Sequence, residues 1–364
     1  MPTTLTAAQL AADLALRDLT DPAEGPHALQ QLVAIAVDAL VERWGCPIRV
    51  CRGPRIVPLA DNYDRLRYPP DAVTREGRYT RYVDDRRMLR SHTSAMIPPA
   101  LRQLAADPAD DVLLVCPGLT YRRDAIDRQH VGAPHQLDLW RISRRPLGGD
   151  DLDGMVDALA AALVPGRGVR AEARTHPYTL GGRQIDAADT DGRWLEVWEC
   201  GLAHPEVLAG GGLAGWSGLA LGMGLDRLLM LRKGIPDIRL LRSTDPRVAG
   251  QMSDLAPYRP VSHLPAIRRD ISVAVGDDDT VEDLGDRVRT ALGPDADLIE
   301  ALTVVAETPY QDLPPAAIDR LGIGAHQKNV LVRLVIQPQE RTLTDHQANE
   351  LRDRAYAAIH LIRR

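Results

Sequence analysis

The spacing of apolar positions predicts both helices and strands in the N-terminal two thirds of the chain. Residues 26–44 are predicted to form a helix that stops at Gly45, with apolar positions at helical intervals: Leu29, Leu32, Val33, Ala36, Val37 and Leu40. The continuous apolar run at 112–115 predicts a buried strand, and residues 135–142 are its expected hairpin partner. A further helix, rich in Ala and Leu, is expected at 154–163. Strands and helices therefore alternate in this region.

A glycine-rich junction follows later in the chain. Residues 219–221 read as a short strand that leads into an amphipathic helix capped by Gly234. Gly222 and Gly224 leave room for a flat or charged group to approach the backbone, and Arg227 lies in the first helical turn. A cation beside such an opening suits a phosphate. Close packing of a helix on a sheet explains the same glycines equally well.

The loop between the two strands of the predicted hairpin is dense in titratable groups. Its charged residues and histidine are Arg122, Arg123, Asp124, Asp127, Arg128 and His130. Taken alone, this density is compatible with a solvated loop.

The C-terminal third has its own pattern. Prolines cluster near residue 255, which predicts a boundary between domains at 1–255 and 256–364. After it come a strand at 269–275, a helix at 281–292, strands at 298–307 and 329–337, and a helix at 345–359. Good helix N-caps precede both helices, at 278–280 and at Thr344. This order predicts a split β-α-β sandwich.

Together these segments resemble a known family. The spacing Tyr-Arg-Arg-Asp at 121–124, Asp-x-x-His at 127–130 and His-Gln at 135–136, with Gly-Met-Gly-Leu-Asp-Arg at 222–227, resembles motifs 2 and 3 of class II aminoacyl-tRNA synthetases, specifically the phenylalanyl-tRNA synthetase catalytic subunit. The resemblance implies an α/β (α+β) fold with an antiparallel sheet flanked by helices. The C-terminal third resembles the ferredoxin-like βαββαβ anticodon-binding domain, through Pro265-x-x-x-Arg269-Asp270 and Glu340 to Asp345.

The resemblance implies ATP-dependent activation of an amino acid, followed by its transfer to tRNA. Arg122 and Arg227 are the implied catalytic residues, which hold the phosphates of ATP. Asp124 is expected at the adenine amino group and His130 at the phosphates. Glu196 is expected to help bind Mg²⁺, which prefers carboxylate oxygen. Gly222 and Gly224 would border the same ATP site.

The amino-acid end of the site is also implied. His92, Ser94, Gln136 and Asp138 stand at family positions that hold the ammonium and carboxylate groups of the substrate. Asp138 replaces a Glu that is one methylene longer.

The side-chain pocket departs from the family. His176 and Tyr178 stand where the family clamps the substrate ring between two Phe side chains, Glu199 replaces a Gly, and the small floor residue Ala220 is kept. Two interpretations remain open. The polar groups favour a substrate with a polar ring substituent, or His176 and Tyr178 stack on phenylalanine while Glu199 turns outward.

The chain contains no Phe, whereas its length would ordinarily carry on the order of ten. Pro134 stands where the family has a Phe that stacks on adenine. A GC-rich genome does not suffice as the reason. Tyr codons are equally AT-rich in their first two positions, and yet Tyr appears nine times. Selection for translation without Phe is our hypothesis, and equal yields of this chain and a Phe-restored variant under Phe starvation would count against it.

Composition narrows the partners. The net charge of −6 argues against a broad surface that coats nucleic acid, although it leaves room for a local patch that binds tRNA. Four cysteines without metal-ligand spacing, no secretory signal and no membrane-spanning run suggest a cytoplasmic protein. The fused C-terminal domain leads us to expect a monomer or homodimer that needs no separate β subunit.

Two alternatives to a tRNA ligase remain. The chain could pass its activated amino acid to a non-tRNA acceptor in a biosynthetic pathway, which an acidic C-terminal domain and an altered pocket favour. A catalytically silent synthetase paralogue is the other, and retention of Arg122, Arg227, Glu196 and Gln136 argues against it.

Overall fold

A computed structural model describes residues 4–77, 79–123, 125–261, 266–338 and 342–361. The chain forms two compact units. The first comprises residues 1–122, 133–235 and 251–258, and the second comprises 123–132, 236–250 and 259–364. The second unit therefore includes two segments, 123–132 and 236–250, that precede the expected boundary near residue 255. The division into domains at that residue stays a prediction.

The first unit is built on a seven-stranded sheet. Its strands, and those of a separate two-stranded sheet, are β1 (Ile48–Val50), β2 (Ile56–Pro58), β3 (Arg87–Leu89), β4 (Asp111–Leu119), β5 (His135–Ser143), β6 (Val169–Ala173), β7 (Thr179–Ala188), β8 (Trp194–Ala203) and β9 (Ser217–Gly224). The large sheet has the order β1-β4-β5-β9-β8-β7-β6, and β2 pairs with β3. Only the pairing of β1 with β4 is parallel in the large sheet. The expected antiparallel sheet is confirmed.

Helices flank this sheet. They are α1 (Ala7–Leu14), α2 (Ala28–Trp44), α3 (Leu59–Asn62), α4 (Ile97–Ala106), α5 (Gly149–Leu163), α6 (Pro205–Gly210) and α7 (Leu225–Lys233). Helix α2 matches its prediction and ends at Gly45, whose φ of 63° is a left-handed conformation that favours glycine. Helix α5 begins five residues before the predicted start at 154, because the backbone N–H of Gly148 is already capped by the Asp151 carboxylate at 3.0 Å.

The glycine-rich junction differs in detail from its prediction. Strand β9 spans eight residues and continues through Gly222 and Gly224. Helix α7 begins at Leu225 and ends at Gly234, which has a φ of 70°. Both glycines are therefore strand residues on the sheet face and not part of the helix.

The second unit contains α8 (Pro246–Ala249), β10 (Ile267–Gly276), α9 (Val281–Leu292), β11 (Ile299–Pro309), α10 (Pro315–Leu321), β12 (Gln327–Ile336) and α11 (Asp345–Ile359). Its antiparallel sheet has the order β10-β12-β11. The predicted elements are all present, and α10 is an addition. Thr280 and Thr344 cap α9 and α11 as expected.

The last strand of a βαββαβ arrangement would follow α11. The described residues there end at Leu361, whose backbone N–H donates to the Ala274 carbonyl oxygen of β10 at 2.8 Å. Pro265, Glu340 and Arg341, which carried part of the resemblance, lie outside the described residues.

Candidate active site

Strand register brings the predicted amino-acid-binding residues onto one face of the large sheet. Asp138 of β5 lies opposite Gly222 of β9, which in turn lies opposite Glu199 of β8. Two residues along β5, Trp140 lies opposite Ala220. Because directly paired residues of neighbouring strands project to the same side, these positions line a common surface.

Asp138 is the central anion of this surface. It is 2% exposed, and its carboxylate accepts hydrogen bonds at both oxygens, Oδ2 from the Thr93 hydroxyl at 2.6 Å and Oδ1 from the Trp140 indole at 3.1 Å, with the Ser94 side chain as a further donor. Burial raises the pKa of Asp138 to about 6, while these hydrogen bonds act in the opposite direction. The carboxylate is therefore fixed in position and ionised at neutral pH, as a partner for an ammonium group must be.

His92 is held as a neutral imidazole. The backbone N–H of Ser91 donates to Asn62 Oδ1 at 3.1 Å, and the Asn62 amide nitrogen lies 3.4 Å from His92 Nε2. Burial and the positive charge of Arg122 lower the pKa of His92 to about 3, while a hydrogen bond with the Asn62 backbone acts in the opposite direction. Nδ1 is a buried atom without a hydrogen-bond partner among the described residues, which leaves one hydrogen-bonding position for a ligand.

Two arginines and a glutamate provide the charges expected at an ATP site. Arg122 donates from Nε to the Ser91 carbonyl oxygen at 2.8 Å, which anchors the guanidinium next to His92. Arg227 lies in the first turn of α7. Burial and the neighbouring Glu199 carboxylate raise the pKa of Glu196, and the charge of Arg227 opposes this shift. Arg227 and Glu196 are therefore close enough to interact electrostatically.

An aromatic stack adjoins the anion. Tyr178 stacks on Trp140 on one side and on His176 on the other, each with ring centroids 5.9 Å apart. Tyr68 lies 6.2 Å from Tyr178 and stacks on His92 at 5.6 Å. The predicted ring-binding residues are thus part of a larger aromatic surface.

The charged groups of the pocket lie close together. His176 Nε2 lies 2.9 Å from Glu199 Oε2, and Arg174 Nε lies 3.5 Å from Glu199 Oε1. Burial alone would raise the pKa of Glu199, but the contact with His176 and the charge of Arg174 hold it below its usual value. Glu199 therefore faces His176 and does not turn outward, and the choice between a polar and an unsubstituted substrate ring stays a prediction.

The glycines of β9 border the surface differently. A Cβ added at Gly224 would meet no atom within 4 Å, and one added at Gly222 would first meet Asp138 Oδ2 at 3.6 Å, an ordinary contact. By contrast, a Cβ at Gly118 would lie 2.2 Å from the Arg90 guanidinium. Gly224 therefore faces open space, Gly222 lies at ordinary contact distance from the Asp138 carboxylate, and Gly118 is required for packing.

We expect Gly222→Ala to fold normally and yet bind the amino acid at least tenfold more weakly, because its methyl group would occupy space beside Asp138. Gly118→Ala is the opposite case and should lower the melting temperature, since the buried guanidinium has to move. Thermal melts and the KM for the amino acid in pyrophosphate exchange check both. Normal substrate binding by Gly222→Ala would show that the ligand does not approach this part of β9.

The remaining predicted residues are placed as follows. Ser94 is buried, and Gln136 Oε1 accepts from the Thr93 backbone N–H at 3.3 Å. Pro134 lies before β5, and its carbonyl oxygen accepts from the Thr120 backbone N–H at 2.8 Å. His130 belongs to the second unit, where Nδ1 lies 2.7 Å from Asp127 Oδ2. Asp124 lies outside the described residues.

Several contributors were not predicted as site residues: Asn62, Tyr68, Thr93 and Trp140. Trp140 lies in the strand predicted at 135–142, and Thr93 lies between the predicted residues His92 and Ser94, so their positions were a usable signal. Asn62 and Tyr68 are identified by their contacts with His92.

Within the described residues, no group of three or more His, Cys, Asp or Glu side chains could hold a metal ion. Mg²⁺ commonly binds through one or two carboxylates together with substrate phosphates. Glu196 fits that mode, in which the metal arrives with a nucleotide. None of the described helices is both long and apolar enough to cross a membrane.

Comparison with known proteins agrees with this geometry. The family described as tRNA synthetases class II core domain (F) matches residues 22–252. The phenylalanine–tRNA ligase alpha subunit of Prochlorococcus marinus is 36% identical over 238 residues, covering 64% of this chain and 69% of that protein. The alpha subunit of Nostoc punctiforme is 31% identical over 241 residues, covering 66% and 70%. The chloroplastic/mitochondrial phenylalanine–tRNA ligase of Arabidopsis thaliana is 30% identical over 313 residues, covering 82% and 68%.

One expectation about partners is corrected by these matches. The sequence suggested a monomer or homodimer that needs no separate β subunit. The relatives from P. marinus and N. punctiforme are named alpha subunits, that is, one subunit of the ligase, so that expectation is wrong. The family expected from the motifs is confirmed, because the match spans residues 22–252 and extends to relatives above 30% identity. The chain belongs to the class II tRNA synthetase core-domain family.

Proposed function

We propose that this protein activates phenylalanine with ATP and transfers it to tRNA. The observation that carries the proposal is the convergence, on one face of the large sheet, of a buried fixed carboxylate, a neutral imidazole and an anchored guanidinium. These are Asp138, His92 and Arg122. The names of the relatives, all phenylalanine–tRNA ligases or their subunits, support phenylalanine as the amino acid.

In the first step a carboxylate oxygen of the amino acid attacks the α-phosphorus of ATP, and pyrophosphate leaves. Asp138 would bind the substrate ammonium, which positions the carboxylate for this attack. The buried Nδ1 of His92, which has no hydrogen-bond partner among the described residues, would hydrogen-bond that carboxylate. Arg122 would stabilise the negative charge that grows on the α-phosphate, because its guanidinium is already oriented by Ser91.

ATP and Mg²⁺ complete the proposal. Arg227 would hold the distal phosphates, and Glu196 would bind a Mg²⁺ ion that also contacts the phosphates. Mg²⁺ supplies charge neutralisation when bound. Asp124, His130 and Pro134 remain the proposed contacts of the nucleotide, with the loss of a stacking ring at Pro134 weakening ATP binding by roughly 1–3 kcal/mol if base stacking on proteins is a guide.

In the second step a hydroxyl of the tRNA 3′-terminal ribose attacks the carbonyl carbon, and AMP leaves. One observation favours a different acceptor. Residues 259–364 carry 13 Lys and Arg against 17 Asp and Glu. Three basic side chains of this segment are engaged with carboxylates: Arg269 with Asp345, Lys328 with Glu307, and Arg333 with Asp270. Transfer to a non-tRNA acceptor is therefore the second candidate.

The setting of the reaction belongs to the same proposal. The four cysteines are free thiols, as in reduced compartments, which supports a cytoplasmic location. The names of the relatives support assembly with a further subunit.

The test is amino-acid-dependent ATP–pyrophosphate exchange, followed by charging of tRNA, on protein isolated with any subunit that co-purifies. Exchange with phenylalanine and charging of phenylalanine tRNA are the expected results. Exchange without charging would favour the second candidate. Exchange with a different amino acid would overturn phenylalanine as the substrate, and its absence for every amino acid would overturn the activation step.

A further inference from the structure

We propose that Trp140 is a positioning residue that joins the ammonium-binding and ring-binding parts of the site, so that amino-acid binding depends on its indole N–H. The inference rests on the proposed function and deepens it. Trp140 was not among the residues expected at the site, and its proposed role is exerted through Asp138 and Tyr178.

Two contacts of one buried side chain carry this inference. The Trp140 indole is fully buried, and its Nε1 donates to Asp138 Oδ1 at 3.1 Å. Its ring stacks against Tyr178 with an interplanar angle of 24°. One rigid side chain therefore fixes the distance between the anion that would bind the ammonium and the surface that would bind the ring.

The second hydrogen bond to Asp138 makes the role of the indole specific. Thr93 donates to Oδ2 and Trp140 donates to Oδ1, so the carboxylate cannot rotate about its axis without breaking one bond. The carboxylate faces Gly222, where an added Cβ would meet Oδ2 at 3.6 Å and Oδ1 at 3.8 Å. Loss of the indole N–H would remove the donor to Oδ1 and would favour the protonated acid, which cannot pair with an ammonium.

Neighbouring groups limit what else could titrate with Asp138. The titratable side chains that face it from packed elements are Cys116 on β4, Glu199 on β8, His92, Tyr68 and Tyr178. A hydrogen bond with Cys51 and burial raise the pKa of Cys116, burial raises that of Tyr68 and Tyr178, and burial lowers that of His92 to about 3. The imidazole of His176 also lies nearby, because it stacks on Tyr178, so a transition near pH 6 at the indole is assigned to Asp138 by its absence in Asp138→Asn.

The experiment compares Trp140→Phe with Trp198→Phe. Phenylalanine at 140 keeps a six-membered aromatic ring and removes the N–H group together with the rest of the five-membered ring, a loss of volume that Trp198→Phe reproduces. Trp198 is a matched control, because it is equally buried in the same sheet and its Nε1 has no partner in the described part of the chain.

We expect Trp140→Phe to raise the KM for phenylalanine about tenfold at pH 7, the effect of losing one charge-assisted hydrogen bond, with kcat changed less than twofold. The pH below which KM rises should move upward by about one unit. Trp198→Phe should change neither quantity. Equal effects of both variants, or a loss of kcat with an unchanged pH profile, would assign Trp140 a structural role only.

A second measurement needs no turnover. The five tryptophans can be labelled with ¹⁵N, and single Phe substitutions assign their indole signals. The Trp140 signal should shift with a midpoint near pH 6, and phenylalanine should move that midpoint to lower pH. A signal that does not titrate overturns the inference even if exchange is observed. A signal that titrates but ignores phenylalanine, in protein without exchange, removes the proposed function and the positioning role with it.

Discussion

Replacement of Arg122 by lysine is expected to lower kcat for phenylalanine-dependent pyrophosphate exchange by about 100- to 1000-fold, the range found when one preorganised transition-state donor is removed. Arg122 donates one N–H to the Ser91 carbonyl oxygen, and its other N–H groups are expected to bind a phosphate. A lysine ammonium has no planar fork, so it cannot hold the loop of His92 and a phosphate oxygen together. Exchange kinetics at saturating ATP and phenylalanine measure this effect.

The adjacent arginine provides the control. Arg123 and Asp286 both belong to the second unit, and Arg123 Nε lies 3.3 Å from Asp286 Oδ2. A lysine can replace this contact in part. Arg123→Lys should therefore stay within about threefold of the wild-type rate, the effect of a weak ion pair. If the two variants lost activity equally, the assignment of Arg122 to the phosphate would be wrong, and the tandem arginines would act through the stability of the loop.

The second large effect is expected for Asp138→Asn, which should abolish high-affinity binding of phenylalanine while making the protein more stable at neutral pH. Asparagine keeps the shape, and its amide can still accept from the Trp140 indole. It removes the charge that would pair with the ammonium, a loss of about 2–5 kcal/mol or roughly 30- to 5000-fold in KM. The KM for phenylalanine in pyrophosphate exchange measures the loss of binding, and a thermal melt measures the gain in stability.

The pH dependence of stability follows from the direction of the pKa shift. The pKa of Asp138 is raised by burial from 3.8 to about 6 in the folded protein. Between these values the folded state binds more protons than the unfolded state, so the free energy of unfolding falls as pH rises through this window. The total loss is about 3 kcal/mol above pH 6, at 1.36 kcal/mol per pKa unit. Asp138→Asn removes this loss, so its gain in stability should be present at pH 7 and absent at pH 4.

Asp186→Asn is the matched control. Asp186 is buried to the same extent, but it accepts from Arg170 Nε at 3.0 Å and from Nη2 at 2.8 Å. Loss of its charge should lower the melting temperature, opposite in sign to the effect at Asp138. A fall in stability at pH 7 for both variants would mean that Asp138 is not a buried charge that destabilises the fold.

The sequence alone determined the features that depend on residues close together in the chain. Helix α2 and its stop at Gly45 follow from apolar spacing and from the left-handed conformation that glycine adopts without strain. The caps at Thr280 and Thr344 follow from side chains that reach backbone N–H groups three residues away. The motif spacings identified the family and most of the residues now found on one face of the sheet.

Tertiary structure alone decided how those residues interact. Glu199 and His176 are 23 positions apart, and the sequence could not show that Glu199 Oε2 lies 2.9 Å from His176 Nε2 in the fold. The surroundings of the His92 imidazole depend on Asn62, and the fixed carboxylate of Asp138 depends on Thr93. Such contacts join separate elements, and their geometry depends on strand register and packing over the whole unit. Local spacing carries no information about that register, which is why the sequence identified the groups of the site but not their ionisation, orientation or partners.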